Sequence, residues 1–186
     1  MRNALWLALA LLFAPAFAGA ALAGDFVQAP GSSLVFAGTY QGEAFTGRFP
    51  GFATTFRFDP RQLAASKLVV TIPLATAATS NADYDGELRG ASFFDAPKFP
   101  RTTYIATKFR ALGGNRYAAD GTLTLRGVSK PVVLEFTWTP GTAPVLSGKA
   151  LVKRLAFGVG GGDWADTTLI PDAIAISTKV VFKPKP

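Results

Sequence analysis

The chain has 186 residues, 49% of them hydrophobic, with 16 Phe against 4 Tyr and 3 Trp, and it contains neither Cys nor His. That length and apolar content give one domain with a sizeable core and argue against disorder. The missing Cys and His exclude disulfides, thiol catalysis, Ser-His-Asp triads, ordinary zinc or haem ligation and a lipid-modified N-terminal Cys. The formal charge of +7 is scattered apart from Lys153-Arg154 and the Lys183/Lys185 tail, a pattern of a solvated surface with some attraction to anionic membranes, and not of a nucleic-acid groove.

Residues 1–23 read as a secretory signal peptide: Arg2 is a short basic region, Leu5 to Phe13 an apolar core, and Ala21-Leu22-Ala23 a small-x-small cleavage site. Ala18-Gly19-Ala20 is a second site, so the mature chain starts at Ala21 or Gly24. An uncleaved anchor is the alternative, since Ala4 to Ala23 is apolar throughout; Pro15 and the small residues favour cleavage. The expected mature protein is exported, one domain over 24–186, with a net charge of +6 from 18 basic and 12 acidic residues.

Strands follow in order. Leu34, Phe36, Gly38 and Tyr40 alternate with Val35, Ala37 and Thr39. Gln41-Gly42-Glu43 is a turn; Phe45, Gly47 and Phe49 alternate again, and Pro50-Gly51 breaks or bulges the run before Phe56 and Phe58. Asp59-Pro60 opens a single helical turn, and Lys67 to Leu74 is a strand. Asn81 to Arg89 suits a short helix weakened by Gly86. Strand pattern returns over Thr102 to Phe109, Tyr117 to Arg126, Val132 to Thr139, Val145 to Phe157 and Ile174 to Phe182, with turns at Gly113-Gly114-Asn115, Gly127 to Pro131 and Pro140-Gly141, and a long loop from Gly158 to Asp172. About eight short strands joined by hairpin-type turns predict an all-β antiparallel barrel or sandwich. One strand face carries large aromatics, which in a closed barrel point inward; eight strands leave an interior that side chains fill or that holds one small ligand.

The stretch from Asn81 to Tyr104 interrupts this pattern. Its acidic half, Asn81-x-Asp83-x-Asp85-Gly86, matches the start of a calcium loop, but Ser92 stands where a bidentate Glu belongs and flanking amphipathic helices are missing. A capped helix start is the better reading. The carboxylates Asp83, Asp85, Glu87, Asp95, Asp163 and Asp166 show no spacing that selects a catalytic pair, and Gly158-Val-Gly-Gly-Gly-Asp163 lacks the Lys-Ser/Thr of a phosphate loop, so it reads as a hairpin or barrel-mouth loop. No catalytic constellation stands out, and the expectation is a protein that is not an enzyme. Phe93-Phe94-Asp95 with Phe99 suits a lid over an apolar cavity, with Trp164 at the same mouth.

Three blocks give the chain a resemblance to a known family: Leu88-Arg89 through Ser92-Phe93-Phe94-Asp95-Ala96-Pro97-Lys98-Phe99-Pro100; Gly121 to Val132; and Arg154-Leu-Ala-Phe-Gly158 with Asp172 and the last strand. In these it resembles the YceI-like proteins, secreted bacterial lipid or polyisoprenoid binders. The resemblance implies an eight-stranded antiparallel, lipocalin-like barrel with a short helical segment at one end. It also implies an apolar tunnel for an isoprenoid lipid of the quinone or polyprenyl type, and a periplasmic location. The run Gly158 to Trp164 is similar to that of relatives found beside membrane cytochrome b proteins, while the lack of His and the Ala-Phe-Gly at Phe157 depart from many relatives.

The expected ligand-binding set is Phe36, Phe56, Leu88, Arg89, Phe93, Phe94, Asp95, Phe99, Tyr104, Phe136, Trp138, Arg154, Phe157 and Trp164, with Arg89, Asp95 and Arg154 as headgroup partners at the mouth. No metal or covalent cofactor is expected. Burying a few isoprene units at ~0.8 kcal/mol per carbon would exceed the roughly 8 kcal/mol of a micromolar complex. The rival expectation is a non-enzymatic partner of a membrane cytochrome b, monomer or homodimer, whose barrel is filled by its own side chains.

Overall fold

The computed structural model describes residues 24–186; the leader assigned to residues 1–23 lies outside the described residues. Ten strands run in chain order: β1 (Gly24–Gln28), β2 (Ser33–Tyr40), β3 (Glu43–Arg48), β4 (Ala53–Phe58), β5 (Lys67–Pro73), β6 (Arg101–Gly113), β7 (Arg116–Leu125), β8 (Val128–Thr139), β9 (Val145–Lys153) and β10 (Ala173–Pro184), with the helix α1 (Ala82–Arg89) between β5 and β6. Every pairing is antiparallel.

The ten strands make eight staves of a closed barrel, because two staves are kinked in the middle. β1 and β2 both pair with β10: Phe26 to Gln28 lie opposite Pro184 to Phe182, and Ser33 to Ala37 opposite Lys179 to Ala175. On their other side β1 meets β4 and β2 meets β3. From β4 the sheet continues through β5, β6, β7, β8 and β9 to β10, which closes the ring on β1. Closure pairs every described strand on both sides except β3, whose second edge carries only the bridge from Arg48 to Ala78. At the first kink Ser32 mends the ladder: its hydroxyl donates to the Ala29 carbonyl and accepts from the Val181 amide. The second kink falls at Pro50-Gly51, as the sequence predicted.

Short turns and long crossings alternate at one end of this meander. Gln41-Gly42 joins β2 to β3 and Arg126-Gly127 joins β7 to β8, all four residues with positive φ, the geometry of two-residue hairpins that follow the right-handed strand twist. The expected longer turn at Gly127 to Pro131 is therefore corrected. β8 begins at Val128 with Pro131 inside it, on a stretch that β9 does not reach, and β8–β9 pairing begins only at Glu135. A proline without an amide is tolerated where no ladder bond is required. The same end carries two long connections, Leu74 to Pro100 with α1, and Arg154 to Asp172. The expected strand to Phe157 ends at Lys153, because Arg154 to Phe157 turns in a single 3-10 turn closed by Gly158 at φ 69°.

The interior has two halves of different character. Toward the end with the β4–β5, β6–β7 and β8–β9 turns, Phe26, Phe56, Phe58, Phe109, Tyr117, Phe136, Trp138 and Phe182 interlock. Phe56 is 1% exposed and has five ring centroids within 6 Å. Most of these pairs are tilted or edge-on, the arrangement ring quadrupoles prefer. This half is solid. Toward the other end aliphatic residues join Phe36, Phe45, Phe49 and Phe52 on the inward face, and the packing opens.

Candidate functional site: an apolar cavity under a double lid

The open half encloses a cavity of about 190 Å³. Its walls are Leu34, Phe36, Phe45, Phe49, Phe52, Leu68, Val70, Ile72, Leu123, Leu125, Val132, Leu134, Leu146, Val152, Ile174, Ile176 and Val180. The side chains with polar atoms on it are Thr54, Thr102, Tyr104, Arg154 and Thr178; no carboxylate lines it. Cross-strand glycine makes room at one wall: a Cβ on Gly47 would lie 2.1 Å from Cζ of Phe36, so only glycine lets that ring lie across the strand.

The lid has two layers. The first is α1 with the turns after it. Asn81 caps the helix, its side-chain oxygen accepting from the amides of Asp83 and Tyr84. Asp85 accepts from the amide and the hydroxyl of Thr79 at 2.6 and 2.7 Å, which holds its carboxyl below the usual range. These carboxylates order a helix start, and among the described residues no cluster of three metal-ligating side chains forms. α1 buries no side chain fully; Leu88 turns toward the cavity.

Beyond Gly90 the chain folds back on the helix end, with Phe94 N–H donating to Leu88, Asp95 N–H to Gly90 and Ala96 N–H to Arg89. Asp95 takes a left-handed φ of 48° to make this turn. The turn drives Phe93 and Phe94 into the barrel mouth, where Phe94 meets Phe36 and Phe49. Arg126, from the β7–β8 turn, donates to the carbonyls of Ala91 and Phe93 and pins the segment from outside.

The second layer is the loop Gly158 to Asp172, organised by Arg154. This side chain is 3% exposed. Its Nε donates to Pro171, Nη1 to Val159 and Gly160, and Nη2 to Trp164 and Ile170, at 2.6–3.2 Å. A guanidinium has five N–H donors, and all five end on loop carbonyls. Burial lowers its pKa and the nearby Asp172 opposes that shift. The two layers join where Gly160 N–H donates to Ser92 and where Phe93 packs on Trp164 at 5.4 Å. Tyr40 bridges Tyr84 and Trp164 at 6.2 and 6.1 Å, roofing the mouth with three half-covered rings.

The fourteen residues expected from sequence therefore divide. Phe36, Leu88, Phe93, Phe94, Tyr104 and Arg154 line the cavity. Phe56, Phe136 and Trp138 lie instead in the aromatic half, because they occupy inward positions nearer the solid end. Trp164 covers Phe93 from outside, and Phe157 is buried away from the cavity. Phe99 packs over Gly127 with Lys98 Nζ 5.3 Å above its ring. Of the three headgroup partners, Arg154 has no donor left for a ligand, Arg89 is exposed and donates to the Asp85 carbonyl, and Asp95 serves the lid turn. Tyr104 donates to the Ala119 carbonyl, and burial pushes its phenol well above the ordinary tyrosine value.

Sequence reasoning missed Thr54 and most of the aliphatic wall. A signal existed in the inward series Ile174, Ile176, Thr178, Val180, Phe182 and Val132, Leu134, Phe136, Trp138. Each steps from aliphatic to aromatic along its strand, and the steps coincide once the strand directions are known.

The profile of the YceI-like domain family matches residues 27–182. A UPF0312 protein of Yersinia pestis (strain Pestoides F) is 42% identical over 89 residues, 48% of this chain and 46% of that protein; the alignment thus spans about half the length of the curated relatives it matches. Among solved structures, BcnA of Burkholderia cenocepacia superposes with a TM-score of 0.77 at 28% identity, over 81% of this chain and 95% of that one. A domain from Saccharophagus degradans, described as a polyisoprenoid binding domain implicated in plant cell wall breakdown, superposes at 0.67 with 14% identity, over 88% and 100%, a likeness of fold.

Proposed function

This chain belongs to the YceI-like domain family, and on that footing we propose that it binds an isoprenoid lipid of the quinone or polyprenyl type in the periplasm, as a carrier, store or sensor and not as an enzyme. The observation that carries this reading is the cavity: a closed barrel with one half left unfilled by its own side chains and walled by apolar groups. Its polar side chains include no base that could activate a hydroxyl. The Saccharophagus domain provides a precedent at the level of fold.

The size of the cavity refines the ligand. A cavity of ~150 Å³ takes up a benzene, so 190 Å³ scales to about eight carbons, between one and two isoprene units. Burying eight carbons yields roughly 6 kcal/mol at ~0.8 per carbon, below the ~8 kcal/mol of a micromolar complex even before association costs. A tail of several isoprene units is longer than this space holds. A tightly bound lipid must then continue through the mouth across Tyr40, Tyr84 and Trp164. A quinone so held would have a membrane cytochrome b as a natural recipient. The aromatic half supports the filled-barrel reading for that half alone.

The test is lipid extraction of the protein secreted with its own leader, followed by mass spectrometry, and a titration of the lipid-free protein with farnesol followed by Trp fluorescence. An isoprenoid recovered near one per chain, with saturable quenching, is the expected result. No lipid recovered and no response to farnesol would sink the proposal.

A further inference from the structure

Thr54 is the one hydroxyl on the cavity wall without a protein partner. The other three are engaged: Thr102 with the Thr124 carbonyl, Tyr104 with Ala119 and Thr178 with Ser33. Thr54 is 3% exposed, and no group of the protein bonds its Oγ1. It faces inward on β4 between Phe52, which lines the cavity, and Phe56, which belongs to the aromatic half. Its cross-strand neighbour Val70 is another wall residue. The hydroxyl therefore sits deep on the wall, where the hollow half borders the aromatic half, with Leu68 opposite Phe56 completing the floor beside it. Gln28 Oε1 is the other unpartnered buried side-chain polar atom among the described residues, but it does not line the cavity.

Valine would fill the same volume without a polar atom, and a buried unpaired hydroxyl is a destabilising choice. We propose that Thr54 Oγ1 is a specificity-determining contact for a neutral oxygen, hydroxyl or carbonyl, that the ligand carries to the deep end of the cavity, so that the ligand enters oxygen-first with its hydrocarbon toward the mouth. A hydroxyl both donates and accepts, so it suits either oxygen. An anionic group is excluded from that position. The cation on the cavity wall is Arg154, at the lid end with every donor taken, and a buried unpaired phosphate is prohibitively costly. The inference rests on the binding reading above and narrows it to uncharged oxygenated lipids such as prenyl alcohols and quinones.

The experiment compares geraniol with 2,6-dimethyl-2,6-octadiene, the same skeleton without oxygen, and with geranyl phosphate, on the lipid-free parent, Thr54→Val and Thr54→Ser. The expected result is that Thr54→Val loses about fivefold in geraniol affinity, the scale of one hydrogen bond, while keeping its affinity for the hydrocarbon; Thr54→Ser retains geraniol, and geranyl phosphate binds more weakly than geraniol in every protein. The unfolding midpoint of Thr54→Val should equal or exceed that of the parent, which shows that the loss is not unfolding. An unchanged geraniol-to-hydrocarbon ratio in Thr54→Val overturns the proposal while leaving the cavity reading intact. Failure of both neutral probes to bind the parent overturns both.

Discussion

Replacing Arg154 by Met separates a ligand contact from a structural strap. Methionine keeps most of the stem volume and removes the five donated hydrogen bonds to Val159, Gly160, Trp164, Ile170 and Pro171. A bond from a charged donor contributes a net ~1.5–3 kcal/mol, so simple addition over five would match the whole stability of a typical domain. The loss is smaller, because a released loop lets water reach its carbonyls, and because the parent already bears the desolvation that lowers the Arg154 pKa. Leaving two or three of those buried carbonyls unpaired, at ~1–3 kcal/mol each, gives an expected loss of about 3–5 kcal/mol. With a urea m-value of ~2 kcal/mol/M, the unfolding midpoint falls by about 2 M. Arg154→Lys, with three donors in place of five, falls between. Amide exchange should accelerate across 158–172 while the β4–β8 half stays protected. A midpoint drop under about 0.5 M, or unchanged exchange in the loop, would refute the strap and return Arg154 to a headgroup role.

Phe94→Ala should reduce farnesol retention at least tenfold while lowering stability by only about 1–2 kcal/mol, less than the ~3–5 usual for a buried Phe, because one side of the ring faces the cavity; equal retention by variant and parent in a dialysis assay would make that ring ordinary core. Asn81→Ala removes the cap of α1 and should cost ~1 kcal/mol, seen as faster amide exchange in Ala82–Arg89; unchanged exchange there contradicts the capping account. Stability should be flat from about pH 5 to 9 and fall in acid. Asp25, Asp85, Asp120 and Asp166 all titrate below the ordinary Asp value, chiefly through hydrogen bonds from Arg57, Thr79, Arg110 and Thr168. A depressed folded pKa contributes stability above the unfolded value of ~3.9, lost as pH falls through the folded value; the absence of His removes the usual titration near neutrality. A urea midpoint that moves between pH 6 and 8 would contradict this.

The sequence by itself determined the class of the fold and the composition of its interior. Period-two alternation, tight turns such as Gln41-Gly42 and the break at Pro50-Gly51 are local signals, and each marks backbone geometry within a few residues. The capped start of α1 at Asn81 and the lid character of Phe93-Phe94 were legible for the same reason. β1 was not: five residues with one buried aromatic, Phe26, are too short to show a period, yet they close the ring. Nor could local pattern tell which aromatics face ligand and which face each other. Phe36 and Phe56 both sit on alternating strands, but one lies under the lid and the other in the plug. That difference depends on where each kinked stave begins and on the strand directions around the barrel, which place the aromatic ends of β4, β8 and β10 at one level. The five bonds of Arg154 span as many as 17 residues of chain, and the unpartnered state of Thr54 is a property of its whole surroundings. Hydrogen-bond satisfaction and cavity shape are set by contacts between segments distant in sequence, so only the tertiary structure decided that one half of this barrel is solid, the other hollow, and a single hydroxyl left free deep on its wall.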